Sequence, residues 1–261
     1  MIPKKFYKEL SFFLFFLISA ITCHSQAADT NSPASSRFNA GLITASYSFD
    51  IPFSDLAKRF GFNSEVGCGF YYKFKNNWMA GVEGTFLFGE TVNESGILDS
   101  ISTNEKFIIG TDGYFANIQM FERGFRLPMV RIGKVFSLPK KFPNSGIFIL
   151  GGAGFIQHKI QIEDVSKTAV QLSEEYRKGY DRLTQGPIFS FSAGYLFLEP
   201  THWISFFSGI ELAIGFTRSA RDFNYDTREK DTRLRNDLLL GFFAGVCVPI
   251  YGKTGEQYYL Y

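Results

Sequence analysis

The sequence is poor in the residues that build metal centres and disulfide frameworks. It contains only three cysteines and three histidines in 261 residues. The cysteines form no CxxC pair and the histidines no HExxH motif, so we expect neither a metal site nor a bound cofactor. Cys68 and Cys247 are isolated from each other, which excludes a disulfide-rich scaffold, and we interpret both as small apolar residues within strands.

Proline and net charge are scarce as well. The chain has 9 Pro, and aromatic residues make up 18% of it, which excludes a proline-rich linker and is too much apolar surface for a disordered chain. Residues 1–25 contain three Lys and one Glu, so 24 basic and 24 acidic residues remain in the rest of the chain. Without a global positive field, nucleic acid is not an expected partner.

Long hydrophobic runs are also missing, with one exception near the start of the chain. The run LSFFLFFLISAIT at 10–22 follows three lysines. It is short for a membrane helix and typical of a signal peptide. We therefore predict a cleaved signal peptide at 1–25 and a mature domain at 26–261, with cleavage after Ala27 as an alternative. Lipidation of Cys23 is a less favoured alternative, because the Thr before it fits a lipobox poorly.

What the sequence does contain is alternation of apolar and polar residues. In the stretch WMAGVEGTFLFG, Trp78, Val82 and Phe86 share one face and Glu83 and Thr85 share the other. A period of two is the signature of a strand with unlike faces. Eight segments have this character, and none of them has a sustained helical period. The segments are 39–50, 65–74, 78–89, 114–136, 146–160, 187–198, 203–217 and 237–251.

The connections between these segments alternate in length. The long ones are 51–63, 90–113, 161–186 and 218–236, and the short ones are 75–77, 137–145 and 199–202. Long loops outside and short periplasmic turns are typical of outer-membrane barrels. The sequence therefore predicts an all-β fold, namely an eight-stranded antiparallel transmembrane β-barrel with long extracellular loops, short periplasmic turns and both termini in the periplasm.

The polar faces of the segments carry a few charges. A charge facing lipid at the midplane costs about 2–4 kcal/mol, so we expect the charges to point inward and the Phe and Leu side chains outward. The interior of an eight-stranded barrel is only wide enough for side chains. We predict a charge network in the lumen formed by Lys73, Glu83, Arg131 and Glu211.

The fourth segment is longer than a membrane crossing requires. It runs from 114 to 136 and contains Pro128, which cannot donate to a strand ladder and has no free edge to occupy in a closed barrel. We predict a bulge or break between Glu122 and Pro128, with the preceding part of the segment outside the membrane.

Two of the long loops mix charges of both signs with aromatic residues. The stretches 163–183 and 221–235 favour two interpretations equally, a solvated cap facing lipopolysaccharide or a docking surface for another envelope protein. The candidate docking residues are Tyr176, Arg177, Tyr180, Arg182, Arg221, Phe223, Tyr225 and Arg228.

Signals of catalysis are few. A lipid-modifying enzyme would need a Ser and a His on the lipid face near the outer rim. His158 is the one candidate, but it has no HxS arrangement, and Ser190 is expected to face the lumen. The GGAG sequence at 151–154 has no Lys-Ser/Thr after it, so a glycine-rich strand explains it better than a phosphate loop. We expect no enzymatic activity.

Several motifs carry a family resemblance. The stretches DLAKRFG, NNWMAGVEGTFLFG, ERGF, NSGIFILGGAGFIQHKI, GYDRLTQG and RDFNYDT together resemble a family of small outer-membrane β-barrel proteins of Bacteroidota. The resemblance spans nearly all of the mature chain. It implies a barrel in the outer membrane of a Gram-negative cell, in contact with outer-membrane lipid and lipopolysaccharide, and it supplies no catalytic residues.

The chain is also similar to accessory barrels of two envelope machines in that phylum, the barrel assembly machinery and the type IX secretion translocon. This similarity implies a non-catalytic accessory or scaffold subunit. Two alternatives remain open, a lipid-modifying enzyme with a lipid-side Ser/His pair and a small pore with a continuous lumen.

Overall fold

Eight antiparallel strands form a closed ring. The computed structural model describes residues 37–94, 96–137, 143–198 and 203–251. The expected signal peptide, Cys23 and His202 lie outside the described residues. The strands are β1 Ala40–Phe53, β2 Asn63–Lys73, β3 Trp78–Gly89, β4 Ile118–Phe136, β5 Gly146–Asp164, β6 Thr184–Phe197, β7 Ser205–Ser219 and β8 Arg235–Tyr251. Each strand pairs with the next, and β1 pairs with β8.

The eight-stranded antiparallel barrel predicted from the sequence is therefore confirmed. The largest differences in strand bounds lie at the end of the barrel that carries the long loops. There β5 continues to Asp164, four residues beyond the predicted segment, and β6 begins at Thr184. The pairing of β5 with β4 continues to Asp164, although the outward side chains of this part of β5 are polar. The apolar pattern therefore ends before the strand does.

The long loops contain short helical elements. Helix α1, Ser54–Arg59, follows β1 directly. The later loops hold 3-10 turns at Asp99–Ile101 and Val170–Leu172 and helix α2, Glu174–Arg177. In the part of the chain that the structure describes, no helix has the length and apolar character needed to span a bilayer.

The predicted irregularity in β4 is a bulge. The pairing with β3 shifts between Arg126 and Met129, and the pairing with β5 shifts at the same two residues. Leu127 and Pro128 together oppose a single residue on each neighbouring strand, Gly84 of β3 and Phe155 of β5, so the bulge adds one residue. The peptide bond between Leu127 and Pro128 is cis. The missing amide of Pro128 falls where the ladder is already interrupted, which is how a closed sheet accommodates a proline.

The outer surface of the barrel is apolar. Large side chains such as Val82, Ile132 and Phe191 are more than half exposed on it, at 51%, 58% and 55%. Trp78 and Phe88 lie on this face at opposite ends of β3, and Glu83 lies on the inner face between them. So large an exposed apolar belt on a closed sheet is unsuited to water.

The interior is layered. Near the short turns, Leu42, Met79, Phe148 and Leu150 belong to an apolar layer that lines this end of the lumen. Near the long loops, a second apolar layer includes Met129, Ile156 and Ile188. Leu56 of α1 and Phe60, the residue after the helix, also belong to it. Charged side chains lie between the two layers.

Candidate functional site

The charged layer is centred on Arg126, the residue just before the bulge. Its guanidinium donates one hydrogen bond to Glu211 at 2.5 Å and another to Glu65, and its Nε donates to Thr85 Oγ1 at 3.2 Å. All four side chains are buried. Because β2, β3, β4 and β7 contribute one residue each, the guanidinium connects opposite walls of the barrel.

Arg131 extends this layer toward the short turns. Its guanidinium pairs with Glu211, and its Nε lies 3.4 Å from Glu83. The hydroxyl of Tyr71 donates to Glu83 as well. Within the predicted lumen network, Arg131 thus contacts both Glu83 and Glu211. Arg126 and Glu65 are two central members that the sequence analysis missed.

The assignment of Lys73 to that network is wrong. Its ammonium group donates to Asn144 Oδ1 at 2.9 Å and lies over the ring of Phe38, 5.5 Å from its centroid. Lys73 is the last residue of β2, eight residues from Glu65, which is about 26 Å along a strand. The inward direction of its side chain was inferred correctly, but Lys73 lies closer to the short turns than the charged layer does.

A small cavity adjoins the charged layer. It measures about 60 Å³, and the residues around it include Glu65, Arg126, Arg131, Ser192 and Leu42. A volume of this size holds one or a few water molecules. Beside the charged layer, side chains therefore fill most of the space between the described strands.

His158 does not lie on the lipid face. Its side chain is 1% exposed and points into the barrel, where Nε2 lies 3.0 Å from Asp237 Oδ2. Thr217 donates to the same carboxylate oxygen. The Phe60 ring packs edge to face with the imidazole, with 5.6 Å between the ring centroids. The interpretation of His158 as a lipid-side catalytic candidate is wrong, since the inward face of β5 holds it in the core.

Helix α1 closes the end of the barrel near the long loops. The buried guanidinium of Arg59 donates to Thr184 Oγ1 at 2.6 Å and lies 3.3 Å from Glu94. At the other end of the helix, Asp55 accepts from Lys58 and from the backbone N–H of Asn236, and these two hydrogen bonds lower its pKa. The helix therefore bridges β6 and β8 across the mouth.

Several predicted docking residues hold the loops together. Arg221 donates to both oxygens of Asp181, at 2.8 and 2.5 Å, and this bond raises the pKa of Arg221. Arg182 pairs with Asp226 and lies 3.3 Å from Glu94. These side chains join the loop after β5 to the loops after β3 and β7.

Tyr180 and Arg177 also act within the loops. Tyr180 is only 5% exposed, and its ring meets that of Tyr225 edge to face at 5.6 Å. Arg177 donates to the backbone carbonyl of Ile162 at 3.3 Å. A side chain as buried as Tyr180 is not available to a partner, so its assignment to a docking surface is wrong.

The remaining docking candidates form an exposed aromatic patch. Tyr176, Phe223 and Tyr225 are 57%, 46% and 39% exposed, and the centroid of the Tyr225 ring is 6.3 and 6.2 Å from those of the other two. Arg228 is exposed in the same loop as Phe223 and Tyr225. We call Tyr176, Phe223 and Tyr225 the aromatic patch.

Comparison with other proteins gives structural neighbours alone. No family model matches the chain, and no curated protein matches it. The attachment invasion locus protein Ail of Yersinia pestis is similar to it with a TM-score of 0.41 and 9% identity, covering 82% of this chain and 99% of Ail.

Two further solved structures are similar at the same level. The outer membrane protein OprG of Pseudomonas aeruginosa has a TM-score of 0.38 and 10% identity, over 83% of this chain and 98% of OprG. Neisserial surface protein A has a TM-score of 0.37 and 11% identity, over 80% of this chain and 96% of its own. At these values the comparisons assign no function to the chain.

Proposed function

We propose that this protein is a non-catalytic barrel of a Gram-negative outer membrane that serves as an accessory or scaffold subunit of an envelope complex. In this orientation the long loops face outward and the short turns face the periplasm. The belt of exposed Phe, Ile and Val side chains supports the membrane location, because an apolar band around a closed barrel is the surface that lipid covers. Outer-membrane lipid and lipopolysaccharide are then its immediate surroundings.

The observation that carries the non-catalytic part of the proposal is the filled interior. Two apolar layers and a charged layer leave a cavity of about 60 Å³. A pore would need a continuous aqueous path, and the apolar side chains at Leu42 and Phe148 disfavour one in this part of the lumen. A lipid-modifying enzyme would need its histidine on the outer face, whereas His158 is 1% exposed inside the barrel.

The loops supply the surface that a scaffold requires. Arg221–Asp181 and Arg182–Asp226 fasten neighbouring loops to one another, so the aromatic patch rests on a fixed base. Exposed Tyr and Phe side chains beside Arg are enriched at protein interfaces. The resemblance to Bacteroidota barrels favours the barrel assembly machinery or the type IX secretion translocon as the complex.

Site-specific photo-crosslinking in native membranes tests this proposal. A photoreactive amino acid at Tyr176 or Phe223 is expected to give a discrete protein adduct. The same amino acid at Phe206, which lies on the apolar outer face, serves as the matched control and is expected to give none. Mass spectrometry then identifies the adduct. If neither loop position gives an adduct, and the tagged barrel purifies alone in mild detergent, the accessory role is wrong.

A further inference from the structure

Two cations face each other on the outside of the barrel. Arg123 of β4 and Lys159 of β5 are direct partners in the strand register. Their chain neighbours Glu122 and His158 are buried inside the barrel, so alternation places both cations on the outer face. Directly opposed residues have Cβ atoms about 5 Å apart, which allows both charged groups to reach one small ligand.

This cation pair has no carboxylate to neutralise it. Among the described residues, no acidic side chain lies within 4.0 Å of either cation. Arg123 donates from Nη1 to the carbonyl of Glu122 at 2.8 Å, and its guanidinium lies over the ring of Phe121, 5.0 Å from the centroid. The nearby Asp181 is occupied by Arg221. Like charges directly opposite each other destabilise a strand pair, and an anion between them would remove that repulsion.

The pair also lies at a particular height. Along β4 the outward residues Ile132, Val130 and Phe125 are exposed and apolar. Arg123 lies two residues before Phe125, roughly 7 Å along the strand toward the long loops. On β5 the outward residues change from Phe155 to Gln157 and then Lys159. The cations therefore begin where the apolar belt ends, on the side of the long loops. Lipid headgroups occupy this height when lipid covers the belt.

We propose that Arg123 and Lys159 bind the phosphate group of a lipid in the outer leaflet, whose acyl chains lie along Phe125 and Val130. A guanidinium can donate two parallel hydrogen bonds to a phosphate, and an ammonium adds a point charge from the neighbouring strand. The adjoining apolar surface favours a lipid over free phosphate. Free phosphate would interact only with the two charges, and the surrounding water weakens that interaction. The site rests on the membrane orientation proposed above and is independent of the accessory role.

Lipid binding to the purified, delipidated full barrel in a non-ionic detergent tests the site. The probes are a diacyl phosphatidic acid, the matching diacylglycerol and inorganic phosphate, each followed by native mass spectrometry. We expect wild type to retain one phosphatidic acid, and R123Q and K159Q to bind it roughly tenfold more weakly, since each loses one charge-assisted contact. Lys134 is the matched control, because it faces outward at the opposite rim over Trp78, and K134Q should bind as wild type does.

A charge reversal keeps the test informative if a neutral variant folds poorly. K159E should place a carboxylate opposite Arg123, abolish phosphatidic acid binding and raise the melting temperature of the lipid-free barrel. Equal binding of phosphatidic acid to wild type, R123Q and K159Q would overturn the site, and so would equal binding of diacylglycerol. Inorganic phosphate bound as tightly as the lipid would assign the pair to a soluble anion. These results need no protein partner, so a failed crosslink leaves them unaffected.

Discussion

The charged layer in the lumen and the long loops both contain arginine side chains paired with carboxylates, but at different depths from the surface. In the charged layer, Arg126 and its partners Glu65 and Glu211 have side chains between 2% and 8% exposed. In the loops, Arg221 is 23% exposed and its partner Asp181 is 7% exposed, and Arg182 and Asp226 are both 13% exposed. The loop pairs join elements that are already in contact, whereas Arg126 spans the lumen.

Depth changes what removal of one partner does. A buried carboxylate that loses its cation is left as an uncompensated charge, which costs about 3–5 kcal/mol. A carboxylate near the surface is reached by water once its cation is removed, and exposed ion pairs contribute only about 0–1 kcal/mol. We therefore expect the charged layer to govern the stability of the whole barrel and the loop pairs to govern local order alone.

Arg126→Met is expected to have the largest effect. It leaves Glu65 and Glu211 without their shared cation and should lower the free energy of unfolding by about 3–5 kcal/mol. Urea unfolding in lipid vesicles measures this change. The control is the double variant with Glu65→Gln, which removes the carboxylate left without its cation and should recover part of the loss, whereas Glu211 keeps its pair with Arg131. An Arg126→Met barrel as stable as wild type would refute the central role of this residue.

Glu83→Lys is expected to have a smaller but clear effect. The new ammonium would lie next to Arg131, whose Nε is 3.4 Å from the present carboxylate. Arg131 would still pair with Glu211, and Glu83 is 13% exposed, so the loss should be less than that of Arg126→Met. The temperature at which the folded band disappears in a heated gel series measures it. Glu83→Gln should fall between Glu83→Lys and wild type.

Arg221→Ala should change the loops without changing the barrel. Asp181 would lose its bidentate partner, and its loop should exchange amide hydrogens faster. The melting temperature of the barrel should fall much less than in Arg126→Met, because Arg221 is 23% exposed and its removal lets water reach the Asp181 carboxylate, which is 7% exposed in the pair. Asp222→Asn is the matched control, since Asp222 is fully exposed and its pair with Lys230 is long, at 3.6 Å. A large fall in barrel stability for Arg221→Ala would contradict the claim that the loop pairs affect local order alone.

The docking of α1 should depend weakly on pH through Asp55. Its hydrogen bonds with Lys58 and the Asn236 N–H lower its pKa, so ionised Asp55 stabilises the docked helix at neutral pH. That contribution is lost as the pH falls through the lowered folded-state pKa. Hydrogen exchange of α1 should therefore be faster in Asp55→Asn than in wild type at pH 7, and the two should converge in strong acid. A difference that persists in acid would mean that Asp55 acts without its charge.

The sequence predicts the strands well because alternation has a direct physical cause. The inward and outward assignments of β3 and β7 follow from counting by twos, since lipid admits apolar side chains on one face. The same count fails in β4. There the bulge inserts one residue between Arg126 and Met129, so both point inward although they are three positions apart. Arg126 could not be recognised as interior until the bulge was placed.

Other errors arise from information that alternation does not carry. The alternation of side chains shows that Lys73 points inward, but it does not give the position of Lys73 along the barrel axis. That position separates Lys73 from Glu83. The buried position of Tyr180 depends on its contact with Tyr225, which lies in a different loop. The Tyr225 ring can approach the backbone at position 179 only because that residue is a glycine. Helix α1 is six residues long, too short for its period to reveal that Leu56 fills the mouth.

The position of α1 has a consequence for how the ring is made. The helix follows β1 without a break, and its Asp55 accepts the N–H of Asn236 in β8, so it is fastened to both strands of the seam that joins the two ends of the sheet. That seam can form only after all eight strands have been synthesised. Final closure and sealing of the mouth should thus be one kinetic event, and an assembly intermediate with an open seam should also be an unplugged one.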